Sequence, residues 1–320
     1  MKNKIIIIAG DPNSINSEII IKMWKKINIS LKKRIYLIAN YNLLNKQFKI
    51  LKTKVTTSKV THLNEGSATN NLKIINVPLS FKDPFNVTLD NSTRYVIQSF
   101  NLAHKLALDN RVKGLINCPI NKELLNKSKI GVTEFLASKC KVIKDSEVML
   151  IHNRILSVVP LTTHIDIKDV PKKINTAFII KKMTTLKNGY KKLFKKNPKI
   201  GILGLNPHNS EFAINSEEVQ TINPSIKKLK KKGFNIKGPF SADTMFIKNY
   251  KKFNVIVGMY HDQVLTPFKS LFHYDAINVT LGLKYIRVSP DHGPARDIVK
   301  KNKAHHQSLL KCVKFINNLN

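Results

Sequence analysis

Short apolar runs alternate along the chain with longer amphipathic stretches. The apolar runs have the length and composition of buried strands, and they cover residues 4–9, 34–39, 73–78, 114–119, 147–151, 155–161, 200–205, 255–260 and 276–281. The intervening stretches are apolar on one face and lysine-rich on the other, which predicts helices over residues 17–28, 92–110, 174–195, 216–232 and 304–319. Because near-continuous apolar strands separated by helices are typical of buried parallel sheet, the predicted fold class is α/β with mostly parallel sheets.

Three of these predicted strands run directly into a histidine. ILSVVPLTTH ends at His164, IGILGLNPH ends at His208, and VIVGMYH ends at His261. In an open α/β sheet, ligands bind beyond the carboxyl ends of the strands. A single histidine there is usually structural, but three at equivalent positions favour a divalent metal site, since three imidazoles and one open position suit a catalytic metal.

Acidic residues follow two of these histidines closely. Asp166 and Asp262 are positioned to orient an imidazole or to act as acid or base, although a solvated loop position explains them equally well. The wide separation of the histidines excludes a small structural zinc module.

Length and composition are those of an ordinary globular protein with about two domains. The 320 residues are 42% hydrophobic and 23% charged. The three cysteines are too few and too far apart for a disulfide framework, which suits a reducing compartment. The apolar run at the N-terminus is too short for a signal peptide, and no stretch reaches the length of a membrane span. We therefore expect a cytoplasmic protein that does not bind membranes.

The formal net charge of +35 raises the alternative of a basic binding protein. Six of the 55 basic residues are arginines, which leaves 49 lysines. The planar guanidinium of arginine forms paired hydrogen bonds with phosphates and base edges, which the ammonium of lysine cannot do. Selection for nucleic-acid binding should therefore have enriched arginine. Lysine, asparagine and isoleucine are abundant together instead, which indicates a compositional bias, and we expect no nucleic-acid partner.

A glycine-containing segment near the C-terminus is a candidate ligand loop. In VSPDHGPARDIV (residues 288–299), a glycine follows His292 and a helix-like pattern comes next, which would bring backbone donors close to a ligand. The chain contains no G-x-G-x-x-G motif, so a Rossmann dinucleotide site has no support.

Several longer segments resemble, in order along the chain, the 4-hydroxythreonine-4-phosphate dehydrogenase family of pyridoxal phosphate biosynthesis. They are GDPNSINSEI (10–19), TEF (133–135), TTHIDIKDVP (162–171), GLNPHNSEFAINSEE (204–218), GPFSADTMF (238–246), MYHDQ (259–263) and INVTLGLKYIRVSPDHGPARDI (277–298). The resemblance implies a fold related to the isocitrate and isopropylmalate dehydrogenases, with an inter-domain cleft and a homodimer that shares its metal site across the interface. The expected domains are residues 1–125 plus 285–320, and residues 126–284 with the metal site and the dimer interface.

The resemblance also implies roles for individual residues. The expected metal ligands are His164, His208 and His261; the expected substrate contacts are Val132, Thr133, Lys269, Asn278 and Arg287; the candidate catalytic acids or bases are Asp262 and Asp243; and the expected cofactor loop contains His292, Gly293, Ala295 and Asp297. The implied cofactors are NAD or NADP and one divalent ion, zinc, magnesium or cobalt. The implied reaction is oxidation of 4-phosphohydroxy-L-threonine followed by decarboxylation to 3-amino-2-oxopropyl phosphate.

Some positions depart from the family pattern. Val132 replaces a histidine that contacts the substrate, the block at 117–119 reads NCP where a threonine and a glycine usually precede the proline, and the N-terminal loop carries asparagine and serine at its expected small positions (Asn13, Ser14, Asn16 and Ser17). Two alternatives therefore remain open: a related metal- and NAD-dependent dehydrogenase acting on another phosphorylated four-carbon acid, and a non-enzymatic basic binding protein on a decayed scaffold.

Overall fold

A computed structural model describes residues 3–125 and 131–319 of the chain. The chain divides into two compact units. The first unit contains Met1–Lys139 and Lys284–Asn320, and the second contains Cys140–Leu283. The expected domain limit at residue 126 lies outside the described residues. The helix that follows it belongs to the first unit, whereas the sequence analysis assigned it to the second.

The helices and strands follow one another in the order expected of an α/β protein. Up to residue 139 they are β1 (Lys4–Ile8), α1 (Asn16–Lys26), α2 (Ile29–Lys32), β2 (Ile35–Ala39), α3 (Tyr41–Ile50), β3 (Thr57–Val60), β4 (Leu72–Asn76), α4 (Leu89–Ala107), β5 (Val112–Asn117) and α5 (Val132–Lys139). The second unit contains β6 (Val148–His152), β7 (Ser157–Pro160), α6 (Val170–Lys173), α7 (Thr176–Phe194), β8 (Ile200–Leu203), α8 (Asn223–Lys231), β9 (Ile236–Phe240), α9 (Ala242–Met245), β10 (Val255–Gly258), α10 (His261–Phe272) and β11 (Ile277–Leu281). The chain then returns to the first unit with β12 (Arg287–Pro290) and α11 (Gln307–Asn318).

The strands of the first unit pair in the order β3-β4-β2-β1-β5-β12, and every neighbouring pair is parallel. All residues of β1 and β2 are buried, which explains why these strands read as unbroken apolar runs. The parallel arrangement brings the carboxyl ends of β1, β5 and β12 to one edge of this sheet.

The strands of the second unit pair in the order β11-β6-β7-β10-β8-β9. The pairs β11–β6 and β6–β7 are antiparallel, whereas β7–β10, β10–β8 and β8–β9 are parallel. Three neighbouring strands, β7, β10 and β8, therefore end at the same edge. The predicted α/β class with mostly parallel pairing is confirmed.

Several helices and strands were not predicted from the apolar pattern, and for three of them, β3, β9 and α10, the local sequence gives the reason. β3 reads TSKV and is largely solvent-accessible at the edge of its sheet, so it carries no apolar run. β9 contains Gly238 and Pro239 and also lies at an edge, where proline is tolerated. α10 contains Pro267, which disfavours a helix prediction. In the described part of the chain, no helix combines the length and the apolar character needed to cross a membrane.

Candidate functional site

The carboxyl ends of β7 and β10 carry two of the predicted metal ligands. Gly258 lies opposite Pro160 in the parallel register, and the pairing continues past the strands through Leu161 N–H to Gly258 O (2.9 Å). Thr162 then donates both its N–H (3.1 Å) and its hydroxyl (2.8 Å) to Met259 O. Because the two chain segments leave the sheet side by side, the rings of His164 and His261 have centroids 6.4 Å apart.

His261 is the first residue of α10 and has an acidic neighbour. Its Nδ1 lies 2.7 Å from Asp262 Oδ1, and the side chain of Asp262 is 75% exposed. A carboxylate on one ring nitrogen fixes the orientation of the imidazole and directs the other nitrogen, Nε2, to a ligand. This is the arrangement expected of a metal-ligating histidine.

His208 follows β8 in a loop of unusual conformation. Residues 208–212 all have left-handed backbone angles, with φ between 47° and 59°. For residues other than glycine this conformation is strained and persists only where the surroundings enforce it. Over residues 3–125 and 131–319, no group of three or more histidine, cysteine, aspartate or glutamate side chains is placed to hold a metal ion. The three predicted ligands are therefore not brought together within the described part of one chain.

A buried carboxylate holds the base of this loop. Glu218 Oε1 accepts hydrogen bonds from the N–H groups of Leu205 (2.7 Å) and Asn206 (2.9 Å), and Oε2 accepts from Asn206 Nδ2 (3.0 Å). Burial favours the neutral carboxyl, but these hydrogen bonds outweigh burial and lower the pKa of Glu218. Gly204 permits this approach, because a Cβ there would lie 2.9 Å from Glu218 Oε1 and 2.0 Å from Asn209 Oδ1.

Gln263 connects the ends of β8 and β10. Its Nε2 donates to Gly204 O (2.8 Å) and its Oε1 accepts from Met259 N–H (2.7 Å). One side chain of α10 thus fixes the spacing of the strand ends that carry His208 and His261.

In the first unit, Arg287 at the start of β12 is almost completely buried, with 2% exposure. Its Nε donates to Asn117 Oδ1 at 2.7 Å, and its Nη1 lies 3.5 Å from Thr133 Oγ1. Burial lowers the pKa of Arg287 to about 10, while the neighbouring Cys312, Glu134 and Tyr285 favour the charged form. The guanidinium is therefore a cation at neutral pH, held next to one of the other predicted substrate contacts.

The remaining predicted substrate and catalytic residues are Val132 in the first unit and Lys269, Asn278 and Asp243 in the second. Val132 is half-buried at the first position of α5, and Lys269 is exposed in the last turn of α10. Asn278 lies in β11 opposite Ile151, and its buried Oδ1 has no donor among the described residues. Asp243 is exposed at the start of α9, where its Oδ1 accepts from Thr244 N–H (2.8 Å). An unsatisfied buried amide oxygen such as that of Asn278 is a candidate ligand contact.

The predicted cofactor segment is held by the N-terminal loop. Pro294 O accepts from Ile15 N–H (3.2 Å), and Arg296 Nη2 lies 3.4 Å from Asp11 Oδ2. No heavy atom lies within 4 Å of the point that a Cβ at residue 293 would occupy, so the space beside Gly293 is open. His292 Nδ1 lies 2.9 Å from Gly293 O, and its buried Nε2 has no partner within residues 3–125 and 131–319. The other two predicted positions are Ala295, with φ 46°, and Asp297, in the turn Arg296–Ile298.

Comparison with known proteins gives a match over most of the chain. Residues 31–316 match the family described as "Pyridoxal phosphate biosynthetic protein PdxA". The 4-hydroxythreonine-4-phosphate dehydrogenase of Aquifex aeolicus is 35% identical over 327 residues, which cover 100% of this chain and 99% of that protein. The chain belongs to the PdxA family.

Two further relatives of the PdxA family are informative. The crystal structure of 4-hydroxythreonine-4-phosphate dehydrogenase from Klebsiella pneumoniae superposes with a TM-score of 0.84 at 27% identity and covers 98% of each chain. A protein of Oceanobacillus iheyensis with the provisional name D-threonate 4-phosphate dehydrogenase is 31% identical over 325 residues, which cover 96% of this chain and 95% of that protein. The predicted family membership is therefore confirmed, and relatives with two different substrate names resemble this PdxA protein at similar levels.

Several residues that organise this PdxA site were not predicted from the sequence. Glu218, Gln263, Asn117 and Asp11 all act through hydrogen bonds to partners that are distant along the chain or in irregular loops. Three of them fall inside segments that carry the family resemblance: Asp11 in GDPNSINSEI, Glu218 in GLNPHNSEFAINSEE and Gln263 in MYHDQ. The resemblance indicated no role for these residues.

Replacing Glu218 with glutamine is expected to destabilise the second unit by about 1–3 kcal/mol at neutral pH, because the carboxylate accepts three hydrogen bonds in a buried position. The folded-state pKa of Glu218 lies below its ordinary value of 4.5, so its stabilisation is present above that value and is lost as the pH falls through the folded-state pKa. Urea unfolding should therefore show a difference between the wild type and Glu218→Gln that shrinks in acid. Glu211→Gln, at an exposed position, serves as the control, and an acid-insensitive difference would contradict the assignment.

Proposed function

We propose that the protein is a 4-hydroxythreonine-4-phosphate dehydrogenase that oxidises 4-phosphohydroxy-L-threonine with a nicotinamide dinucleotide. The observation that carries the proposal is the end-to-end similarity to proteins with this name. Hydride leaves the carbon that bears the hydroxyl group and reduces the nicotinamide, while a base accepts the hydroxyl proton. The resulting 3-oxo acid loses carbon dioxide, and the electron pair of the broken bond forms an enolate with the ketone. Protonation of this enolate at the carbon that carried the carboxylate gives 3-amino-2-oxopropyl phosphate.

Arg287 is the strongest candidate for a substrate anchor in the first unit. A buried guanidinium binds a phosphate or carboxylate strongly, because little water competes for its donors. Asn117 accepts the hydrogen bond from Nε and so fixes the plane of the guanidinium, while Thr133 lies beside Nη1 and adds a hydroxyl group. In the second unit, the exposed side chain of Lys269 and the buried Oδ1 of Asn278, which has no donor among the described residues, are separate candidates for polar ligand contacts.

The histidine pair of the second unit fits a divalent metal ion in its donor chemistry. Imidazole ligands suit zinc or cobalt better than magnesium, which prefers oxygen. His164 and His261 would hold the ion, and Asp262 would orient His261. When bound, the ion would act as a Lewis acid that stabilises negative charge on the substrate oxygen.

A second copy of the chain is the proposed source of the remaining ligand. Four large apolar side chains lie exposed in the loops that follow His164 and His208, namely Ile165 (41%), Ile167 (72%), Phe212 (50%) and Ile214 (82%). These four side chains lie within six residues of His164 or His208 along the chain. Contiguous exposed apolar surface is typical of an interaction site. This observation supports a homodimer in which His208 of one copy completes the site of the other.

The candidate bases are two exposed aspartates. Asp262 is hydrogen-bonded to His261, so removing its carboxylate would also disturb the imidazole. Asp243 lies at the start of α9, and one of its oxygens accepts a backbone N–H. We propose that Asp243 or Asp262 accepts the hydroxyl proton.

A second candidate function is the oxidation of another phosphorylated four-carbon acid. The similarity to the Oceanobacillus iheyensis protein and the apolar side chain of Val132 both favour it. A site that hydrogen-bonds a substrate group discriminates strongly against acids that lack this group, whereas an apolar side chain such as that of Val132 discriminates only weakly between substrates. The non-enzymatic alternative loses support, because the named relatives across the full length are dehydrogenases.

Replacing Val132 with histidine distinguishes the two substrate assignments. If 4-phosphohydroxy-L-threonine is the substrate, the added imidazole should lower its KM by roughly tenfold, since a new hydrogen bond to a charged or polar group contributes about 1.5 kcal/mol. Val132→Phe is the matched control, because it adds a ring of similar shape without ring nitrogens. Loss of activity on this substrate in Val132→His, with a different phosphorylated acid preferred by the wild type, would favour the second candidate.

A further inference from the structure

The side chain of Gln263 lies where the backbone pairing of β8 and β10 stops. The last paired residues of these parallel strands are Ile202 and Val257. Two residues further on, the amide of Gln263 joins the two chain segments, because Nε2 donates to Gly204 O (2.8 Å) and Oε1 accepts from Met259 N–H (2.7 Å). A side-chain amide thus takes the place of the next backbone hydrogen bonds.

Beyond this point each strand end is bonded to its outer neighbour. Gly204 N–H donates to Phe240 O in β9 (3.0 Å), and Met259 O accepts from the N–H and the hydroxyl of Thr162 after β7 (3.1 and 2.8 Å). The amide of Gln263 therefore lies between two strand ends that are bonded in opposite directions. In an open α/β sheet, ligands bind in the crevice beyond the carboxyl ends of strands whose connections separate in this way.

Gly258 provides the space for this amide. A Cβ at residue 258 would lie 2.8 Å from Gln263 Oε1 and 2.6 Å from Val264 Cγ1. Both distances are shorter than ordinary van der Waals contact, so any larger residue at this position would displace the side chain of Gln263.

A role in capping α10 explains only one of the two hydrogen bonds. Gln263 is the third residue of this helix, and its bond to Met259 N–H resembles the reciprocal bond of a capping box. The bond to Gly204 O contributes nothing to the helix, since Gly204 follows β8. The second bond indicates a role in fixing the separation of the strand ends.

We propose that Gln263 is a positioning residue for the metal-binding histidines, because both strand ends that it joins lead directly to a predicted ligand. His261 follows Met259 by two residues, and His208 follows Gly204 by four. The inference rests on the proposed function, which supplies the divalent ion. In the proposed homodimer, His261 and His208 of one chain belong to different metal sites, so a single amide positions one ligand in each of them.

The test is titration of the metal-free full chain with Co²⁺ alone, together with the visible absorption spectrum of the bound ion. Gln263→Met should bind Co²⁺ about 10–100-fold more weakly than the wild type, as is typical when a group that orients a metal ligand is removed. Its Co²⁺ spectrum should also change, because the spectrum depends on the arrangement of ligands around the ion. Methionine is an unbranched side chain of similar length that forms neither of the two hydrogen bonds.

Asn254→Leu is the matched control, since Asn254 joins the same two strands at their other ends. Its Oδ1 accepts from Lys199 N–H (2.9 Å), and the two residues directly precede β10 and β8. This variant should lower the unfolding temperature, as Gln263→Met does, but leave the Co²⁺ affinity and spectrum unchanged. An equal loss of Co²⁺ affinity in Asn254→Leu would overturn the proposal, as would wild-type affinity and spectrum in Gln263→Met.

Failure of the proposed function gives a different result. Absence of Co²⁺ binding by the wild type would contradict the metal site itself, whereas equal binding by the wild type and Gln263→Met contradicts only the role of Gln263. If Gln263→Met does not fold, Gln263→Asn replaces it, because asparagine keeps the amide but is one methylene too short to reach both backbone groups. The same loss of affinity and change of spectrum are then expected, and wild-type behaviour of Gln263→Asn would overturn the proposal.

Discussion

Replacing His261 with alanine is expected to lower kcat/KM roughly a thousandfold and to remove the bound divalent metal, while the protein stays folded. The reason is that a metal ion contributes several kcal/mol of charge stabilisation, and each 1.36 kcal/mol corresponds to about a factor of ten in rate. His164→Ala should have the same effect, because the two rings lie 6.4 Å apart on neighbouring strand ends. The measurements are initial rates and metal content by elemental analysis.

His305→Ala is the control for these variants, since His305 is exposed and lies in the first unit. His208→Ala tests the proposed contribution of a second copy. Mixing His208→Ala with His261→Ala should restore part of the activity, because a mixed dimer would contain one intact shared site. Full activity in a metal-free His164→Ala, His208→Ala, His261→Ala triple variant would contradict the proposed metal site.

Replacing Arg287 with methionine is expected to lower kcat/KM by about 10²–10³-fold, because methionine fills much of the same space but cannot bind a phosphate or carboxylate. Arg287→Lys should retain part of the activity, since lysine keeps the charge but loses the planar fork. The effect should appear mainly in KM if the guanidinium binds the substrate equally in the ground state and the transition state.

A stability measurement separates the structural role of Arg287 from its role in substrate binding. Its Nε donates to buried Asn117, so Arg287→Met leaves an amide oxygen without this donor and should lower the free energy of unfolding by about 1–3 kcal/mol. Arg94→Ala, at a surface position with one hydrogen bond to Asn91, is the control. An Arg287→Met protein with wild-type kcat/KM would exclude Arg287 from substrate binding.

The positions of His164 and His261 at strand ends were predictable because the apolar run and the histidine after it are both visible in the local sequence. An apolar run marks the strand, and the histidine follows it directly in the sequence, so His164 and His261 were placed correctly relative to β7 and β10. Their proximity then follows from parallel pairing of neighbouring strands. The helix that begins at His261 was missed, because its proline opposes the local prediction while packing of Val264, Leu265 and Phe268 in the core supports the helix.

The arrangement around Arg287 was not predictable from local pattern. Arg287 and its partners Asn117 and Thr133 are 170 and 154 residues apart in sequence, so only the tertiary fold brings them together. The left-handed loop at residues 208–212 was also missed, since its residues include no glycine that would indicate such a conformation. The predicted relation to isocitrate and isopropylmalate dehydrogenases remains a prediction from resemblance.

The most direct test of the central claim is the initial rate of nicotinamide dinucleotide reduction by the purified protein with three substrates, each with and without a metal chelator. The substrates are 4-phosphohydroxy-L-threonine, D-threonate 4-phosphate and 4-phosphoerythronate, and NAD and NADP are each used as cofactor. We predict that 4-phosphohydroxy-L-threonine has the highest kcat/KM, that carbon dioxide is released in equal amount to the reduced cofactor, and that the chelator abolishes turnover until zinc or cobalt is restored. No reduction with 4-phosphohydroxy-L-threonine, together with turnover of one of the other two acids, would contradict the proposed function.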